Sequence, residues 1–151
     1  GLQVSNIFIS NENLRKAFKA EIDRTGYDEP NALGVVACEA AYRAGEDWLD
    51  QLRAYLLKNL NFLRDYLREK IPQIHLVEPE GTYLVWLDCS ELGITGKELD
   101  QFIVDKAGLW LDGGSMFGPS GAAFQRVNIA CPRATLQLAL DKLKTAVDTL
   151  K

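Results

Sequence analysis

"FQRVNIACPR", residues 124–133, holds two arginines seven positions apart, with a change of rhythm between them. From Phe124 to Cys131 the residues alternate. Val127, Ile129 and Cys131 fall on one side of an extended chain, and Phe124, Arg126, Asn128 and Ala130 on the other, because successive strand side chains point to opposite faces. Pro132 then suits the first turn of a helix, where its missing N–H is not needed. Leu136, Leu140, Leu143, Val147 and Leu150 follow at three- and four-residue spacing, which predicts one buried stripe on a terminal helix over about 133–150. The stretch therefore reads as a strand whose apolar face packs on helices, with Arg126 projecting from the other face. A guanidinium there suits a carboxylate held by two parallel hydrogen bonds. That carboxylate is either an Asp or Glu of the same chain, in a structural ion pair, or part of a ligand. Arg133, in a first helical turn, opposes the helix dipole. It is expected to brace the helix through a structural pair, with an acidic partner as the natural compensation.

Three more short strands lie upstream, in "IHLVEP", "TYLVWLDCS" and "LWLDGG", with a helix over about 96–107 announced by "TGKE". Tyr83, Val85 and Leu87 alternate with Leu84, Trp86 and Asp88, so the second of these strands has two largely apolar faces, as a buried strand does. "LDGGSMFGPSG" (111–121) is a glycine-rich loop between strands. It matches neither GxxxxGK[ST] nor GxGxxG, so its glycines are expected to allow positive φ or close approach of backbone to something bound. Met116 and Phe117 line a pocket or, more ordinarily for isolated apolar residues, sit in the core.

The N-terminal part is helical in rhythm. A short strand is expected over 4–9, then a helix in "SNENLRKAFKAEIDRTG" capped by Ser10 or Asn11, striped by Leu14, Phe18 and Ile22, and ended by Gly26. A turn follows at "YDEPN". Residues 32–44 are small and apolar nearly all round, which suits a helix packed on several sides. Gly45 breaks it. A long amphipathic helix then runs to Lys70, with Trp48, Leu52, Tyr55, Leu56, Leu60, Leu63 and Leu67 on one face, and Pro72 ends it. The fold class is α+β, an α/β sandwich: a small antiparallel-rich sheet covered by helices and preceded by a long helix. A boundary is expected between residues 1–44 and 45–151.

Composition narrows the function. The chain has 151 residues, 47% hydrophobic and 25% charged, enough for a sizeable core. Its net charge is -4 with no basic block, which does not support nucleic-acid binding. No apolar run approaches the ~20 residues of a membrane helix. Cys38, Cys89 and Cys131 are widely spaced and odd in number, so they read as buried free thiols in a reducing compartment. His75 is the single histidine, which excludes a multi-histidine metal site, and the cysteine spacings do not fit zinc. His75 itself reads as a strand-edge residue. The opening "GLQVSNIFIS" lacks methionine and reads either as a tag remnant or processed start, or as the beginning of a piece of something longer.

Taken in order, "GYDEPNALG", "EGTYLVWLD", "GSMFGPSG" and "RVNIACPR" resemble the C-terminal part of fold-type I, pyridoxal-phosphate-dependent enzymes of the class I/II aminotransferase superfamily. The wording of the first and last motifs is similar to the cystathionine β-lyase-like branch of C–S lyases, and the resemblance covers essentially the whole chain. It implies that residues 1–44 are a remnant of the large cofactor-binding domain and 45–151 the C-terminal small domain. It also implies a cytoplasmic homodimer acting on a small amino acid, with pyridoxal 5'-phosphate bound by the full-length parent. The lysine that binds the cofactor lies upstream of residue 1 in such enzymes, so the catalytic set within this chain is empty and the fragment alone is expected to be inactive. Arg126 stands where the family holds the substrate α-carboxylate. "RTGYDEPN" resembles the segment that reaches the neighbouring subunit's active site, which makes Tyr27, and after it Arg24, cofactor-proximal or cross-subunit candidates. Gln3 stands where many relatives carry an arginine for the cofactor phosphate, and a neutral amide is a weaker partner there. Three outcomes stay open: a C–S lyase, a class I/II aminotransferase, and a non-enzymatic carboxylate-binding or interaction module.

Overall fold

In the computed structural model, residues 2–27 and 29–150 are described. Asp28, within the expected 27–31 turn, lies outside them. The chain divides into two compact units, Gly1–Gln51 and Leu52–Lys151.

The first unit is helical. Helix α1 (Glu12–Thr25) starts where the Asn11 side chain accepts from the backbone N–H of Leu14 at 3.0 Å, and stops at Gly26 in left-handed geometry. Helix α2 (Ala32–Ala44) is capped by Asn31, whose side chain accepts from the N–H groups of Leu33 and Gly34. Gly34 is buried beneath the N-terminal segment, and a Cβ there would lie 2.4 Å from a methyl of Val4 and 2.7 Å from the carbonyl oxygen of Leu2. Two expectations fail in this unit. Residues 4–9 form no strand: no described strand offers them a hydrogen-bonding ladder. Helix α2 is not enclosed on several sides either, since Leu33, Val36 and Tyr42 are exposed.

Helix α3 (Glu46–Lys70) carries Glu46 and Asp47 in its first turn and Arg68 and Lys70 in its last, matching the helix dipole at both ends. Its apolar stripe is buried only toward the C-terminal end, at Leu63 and Leu67; Trp48 and Tyr55 remain exposed. The second unit then adds β1 (His75–Val77), β2 (Leu84–Asp88), α4 (Lys97–Asp105), β3 (Asp112–Gly113), β4 (Phe124–Asn128) and α5 (Arg133–Val147). The four strands form one antiparallel sheet in the order β1-β2-β4-β3. Val85 and Leu87 from β2 and Ile129 just after β4 join Leu63 and Leu67 of α3, Leu99, Phe102 and Ile103 of α4, and Leu136, Leu140, Leu143 and Val147 of α5 in a single core. One sheet face is thus covered by helices, as the strand parity predicts. Leu150 departs from the stripe: it lies in a 3-10 turn beyond α5 and is exposed.

Strand β3 is shorter than "LWLDGG" predicts. Trp110 is 90% exposed, and only Asp112 and Gly113 pair with β4 before Gly114 opens a 3-10 turn. Met116 and Phe117 are exposed and belong to no core.

Candidate functional site around Arg126

The register of the sheet builds the surroundings of Arg126. It pairs with Trp86 of β2 on one side and Asp112 of β3 on the other, so the three side chains form a row across the face away from the helices. Asp112 Oδ2 accepts from Arg126 Nε at 3.1 Å and from Nη2 at 2.7 Å. The same-chain ion pair allowed for in the sequence is therefore present. The guanidinium lies 4.7 Å from the centre of the Phe117 ring. Phe117 in turn packs edge-on to Trp86, with centroids 5.1 Å apart. Arg126 is accordingly held along one edge by a charge and across one face by a ring. Its side chain is 26% exposed and that of Asp112 44%, so solvent screens the pair and its net contribution is about 1 kcal/mol or less.

The opposite face anchors the same two strands. Gln125, a buried polar residue that parity alone passes over, donates from Nε2 to Asp100 Oδ1 at 2.7 Å. Gly113, its cross-strand partner, leaves room for that carboxylate: a Cβ would fall 2.3 Å from Asp100 Oδ1 and displace it. Consecutive residues of β4 thus fix both residues of β3, Gln125 opposite Gly113 and Arg126 opposite Asp112. Gly114 and Gly121 serve the loop itself. A Cβ on Gly114 would lie 2.1 Å from the Gly121 carbonyl oxygen, where the two backbones cross.

Arg133 has a different setting. Its Nε donates to Asn59 Oδ1 at 2.9 Å, and its guanidinium covers the Phe62 ring at 4.3 Å. The expected bracing is present, but the partners are an amide and a ring of α3 in place of an acid. Pro132 offers no side-chain cap to α5; the Tyr55 hydroxyl accepts from the Arg133 N–H at 2.7 Å instead. Asn59, fully buried, also donates from Nδ2 to the carbonyls of Ile129 and Cys131, each at 2.9 Å. The sequence signal for Asn59 is a lone amide inside the leucine stripe of α3.

Gln3, Arg24 and Tyr27 all lie in the first unit. Gln3 is exposed with φ of 42°, a left-handed backbone rare outside glycine. Arg24 is paired with Glu21 on the surface of α1, which lowers the Glu21 pKa and raises that of Arg24. Tyr27 is 78% exposed. No hydrogen bond joins these three among the described residues.

The remaining chemistry is quiet. Burial, and then the charge of Asp88, push the Cys89 thiol up to about 12. Cys38 and Cys131 are half-buried, less enclosed than expected, and all three cysteines are free. His75 Nε2 lies 2.9 Å from Glu91 at the exposed edge of the sheet. Among the described residues no cluster of His, Cys, Asp and Glu could hold a metal, and no helix is long and apolar enough to cross a membrane.

The chain is 40% identical over 147 residues to cystathionine beta-lyase PatB of Bacillus subtilis, covering 97% of this chain and 38% of that protein. Among solved structures it is similar to cystalysin from Treponema denticola, which contains pyridoxal 5'-phosphate (TM-score 0.89, 33% identity, 95% of this chain and 36% of that one). It is also similar to a PLP-bound putative aminotransferase from Clostridium difficile 630 (TM-score 0.86, 37% identity, 92% and 36%). The chain thus spans a little over a third of the length of these relatives. Residues 1–143 match aminotransferase class I and II, and the chain belongs to that family.

Proposed function

We propose that this chain is the C-terminal portion of a pyridoxal-phosphate-dependent C–S lyase of the cystathionine β-lyase-like branch, and that Arg126 receives the α-carboxylate of its amino-acid substrate. On this reading residues 1–44 belong to the large cofactor-binding domain and 45–151 form the small domain. Tyr27 and Arg24 serve the neighbouring active site of a cytoplasmic homodimer, and Gln3 lies near the cofactor phosphate. The observation that carries the reading is Arg126 itself. A guanidinium is mounted in mid-strand with hydrogen-bonding capacity left over, in a chain 40% identical to a protein named as a cystathionine beta-lyase. The alternative of an aminotransferase rests on the family and on the name of one structural neighbour.

The described residues do not by themselves cradle pyridoxal phosphate. Gln3, Arg24 and Tyr27 are exposed, and Arg24 is engaged by Glu21. On this reading the main hold on the cofactor comes from groups outside the described residues, with Gln3 a weak neutral neighbour of its phosphate, and the chief task of Arg126 is orientation. A carboxylate gripped at two points fixes one end of the bond to Cα, and with the amino group held at the cofactor it sets the torsion that presents the bond to be broken in one direction.

The test uses the full-length protein. Cofactor absorbance on purification, and thiol release from a β-thioether amino acid, are expected. A full-length protein that never binds pyridoxal phosphate would overturn the enzymatic reading and leave the interaction module. Cofactor binding with amino transfer to a 2-oxo acid, and no thiol released, would select the aminotransferase.

A further inference from the structure

We infer that Asp112 is a positioning residue for Arg126, aiming the end of its guanidinium at the substrate carboxylate; the inference rests on the carboxylate role proposed above. A guanidinium offers five N–H donors. One oxygen of Asp112 accepts from Nε and Nη2, which share one edge of the fork. Nη1 makes no hydrogen bond among the described residues, so the Nη1/Nη2 end keeps the two-pronged geometry that a carboxylate matches. The Asp112 grip sets rotation in the guanidinium plane. The Phe117 ring, 4.7 Å away, limits tilt out of that plane.

Asp112 is itself fixed. It lies directly opposite Arg126 in the ladder, and its neighbour Gly113 is pinned by the Asp100–Gln125 contact on the other face. A long flexible cation is therefore aimed by a short side chain on rigid backbone, which lowers the ordering cost of binding. The opposing possibility is that Asp112 occupies the carboxylate site and competes with substrate. The geometry argues against it: Asp112 takes the side edge of the fork through one oxygen, and a competitor would take the open end.

The experiment compares Asp112→Asn, Asp112→Ala and Arg126→Lys in the full-length holoenzyme. Amino-acid substrates are set against the same compounds as α-carboxamides. For Asp112→Ala, KM for the carboxylate substrate should rise about tenfold, since a small misplacement of a positioning group has effects of that order or larger. The carboxamide should lose little, cofactor absorbance should be unchanged, and Asp112→Asn, which keeps an acceptor oxygen, should recover part of the loss. Equal losses for carboxylate and carboxamide, or a fall in KM for the carboxylate, would overturn the inference. If Arg126→Lys lowers kcat/KM while Asp112→Ala changes nothing, the positioning role fails alone. If Arg126→Lys is also without effect, the carboxylate reading fails with it.

Discussion

Removing the Asn59 side chain is the sharpest stability test of how the C-terminal unit is joined. Asn59→Ala leaves two carbonyls without their donor, those of Ile129 and Cys131, and deprives Arg133 Nε of its acceptor. The Ile129 bond is buried, so losing it costs about 2 kcal/mol; the Cys131 carbonyl is partly open to water and costs about 1 kcal/mol. Arg133 can turn to solvent at little cost. The total is about 3 kcal/mol, placed where β4 hands over to α5. With a urea m-value of about 1.5 kcal/mol/M, the midpoint should fall by about 2 M with m unchanged. Arg133→Ala alone should cost about 1 kcal/mol, and less in the Asn59→Ala background because the two share one bond. A loss below about 1 kcal/mol for Asn59→Ala, or strictly additive costs for the pair, would refute the bridge.

Gly113→Ala should cost about 1–3 kcal/mol, because its Cβ would displace the Asp100 carboxylate and leave buried Gln125 without its acceptor; thermal melts read the cost, and a neutral result would contradict it. Tyr66 is pushed up from 10.0 to about 12, first by desolvation and then by its hydrogen bond to Asp141. Its proton is held more tightly in the folded state, so this stabilisation is intact below pH 10 and lost as pH rises toward 12. Tyr66→Phe should flatten that part of the stability curve measured by urea unfolding. Cys89 should resist a thiol reagent at neutral pH until the protein unfolds, whereas exposure of Cys38 and Cys131 should let them react earlier; mass spectrometry of the labelled peptides distinguishes the three.

Periodicity carried much of this architecture. The two-residue alternation around Arg126 located the face from which it projects, and the leucine spacing of α5 located the core. What stayed hidden depends on pairing. Residues 4–9 hold the β-branched and aromatic residues a strand favours, Val4, Ile7, Phe8 and Ile9, but composition does not supply a neighbour to bond with. Asp112 lies 14 residues from Arg126, and only the β3–β4 register makes them partners. The glycines of 113–121 were visible as a group, yet their reasons differ: one avoids Asp100, and two let backbones cross. The resemblance between motifs supplied what no periodicity holds, a carboxylate for Arg126 to meet.

Whether Arg126 grips the substrate α-carboxylate is measured most directly by a ratio. In the full-length enzyme, kcat/KM for an amino-acid substrate is divided by that for its α-carboxamide, in wild type and in Arg126→Lys. A lysine keeps the charge but not the fork, so the wild-type preference for the carboxylate should fall by about 100-fold while cofactor binding and folding persist. A ratio unchanged by the substitution would contradict the claim and leave Arg126 as the structural partner of Asp112.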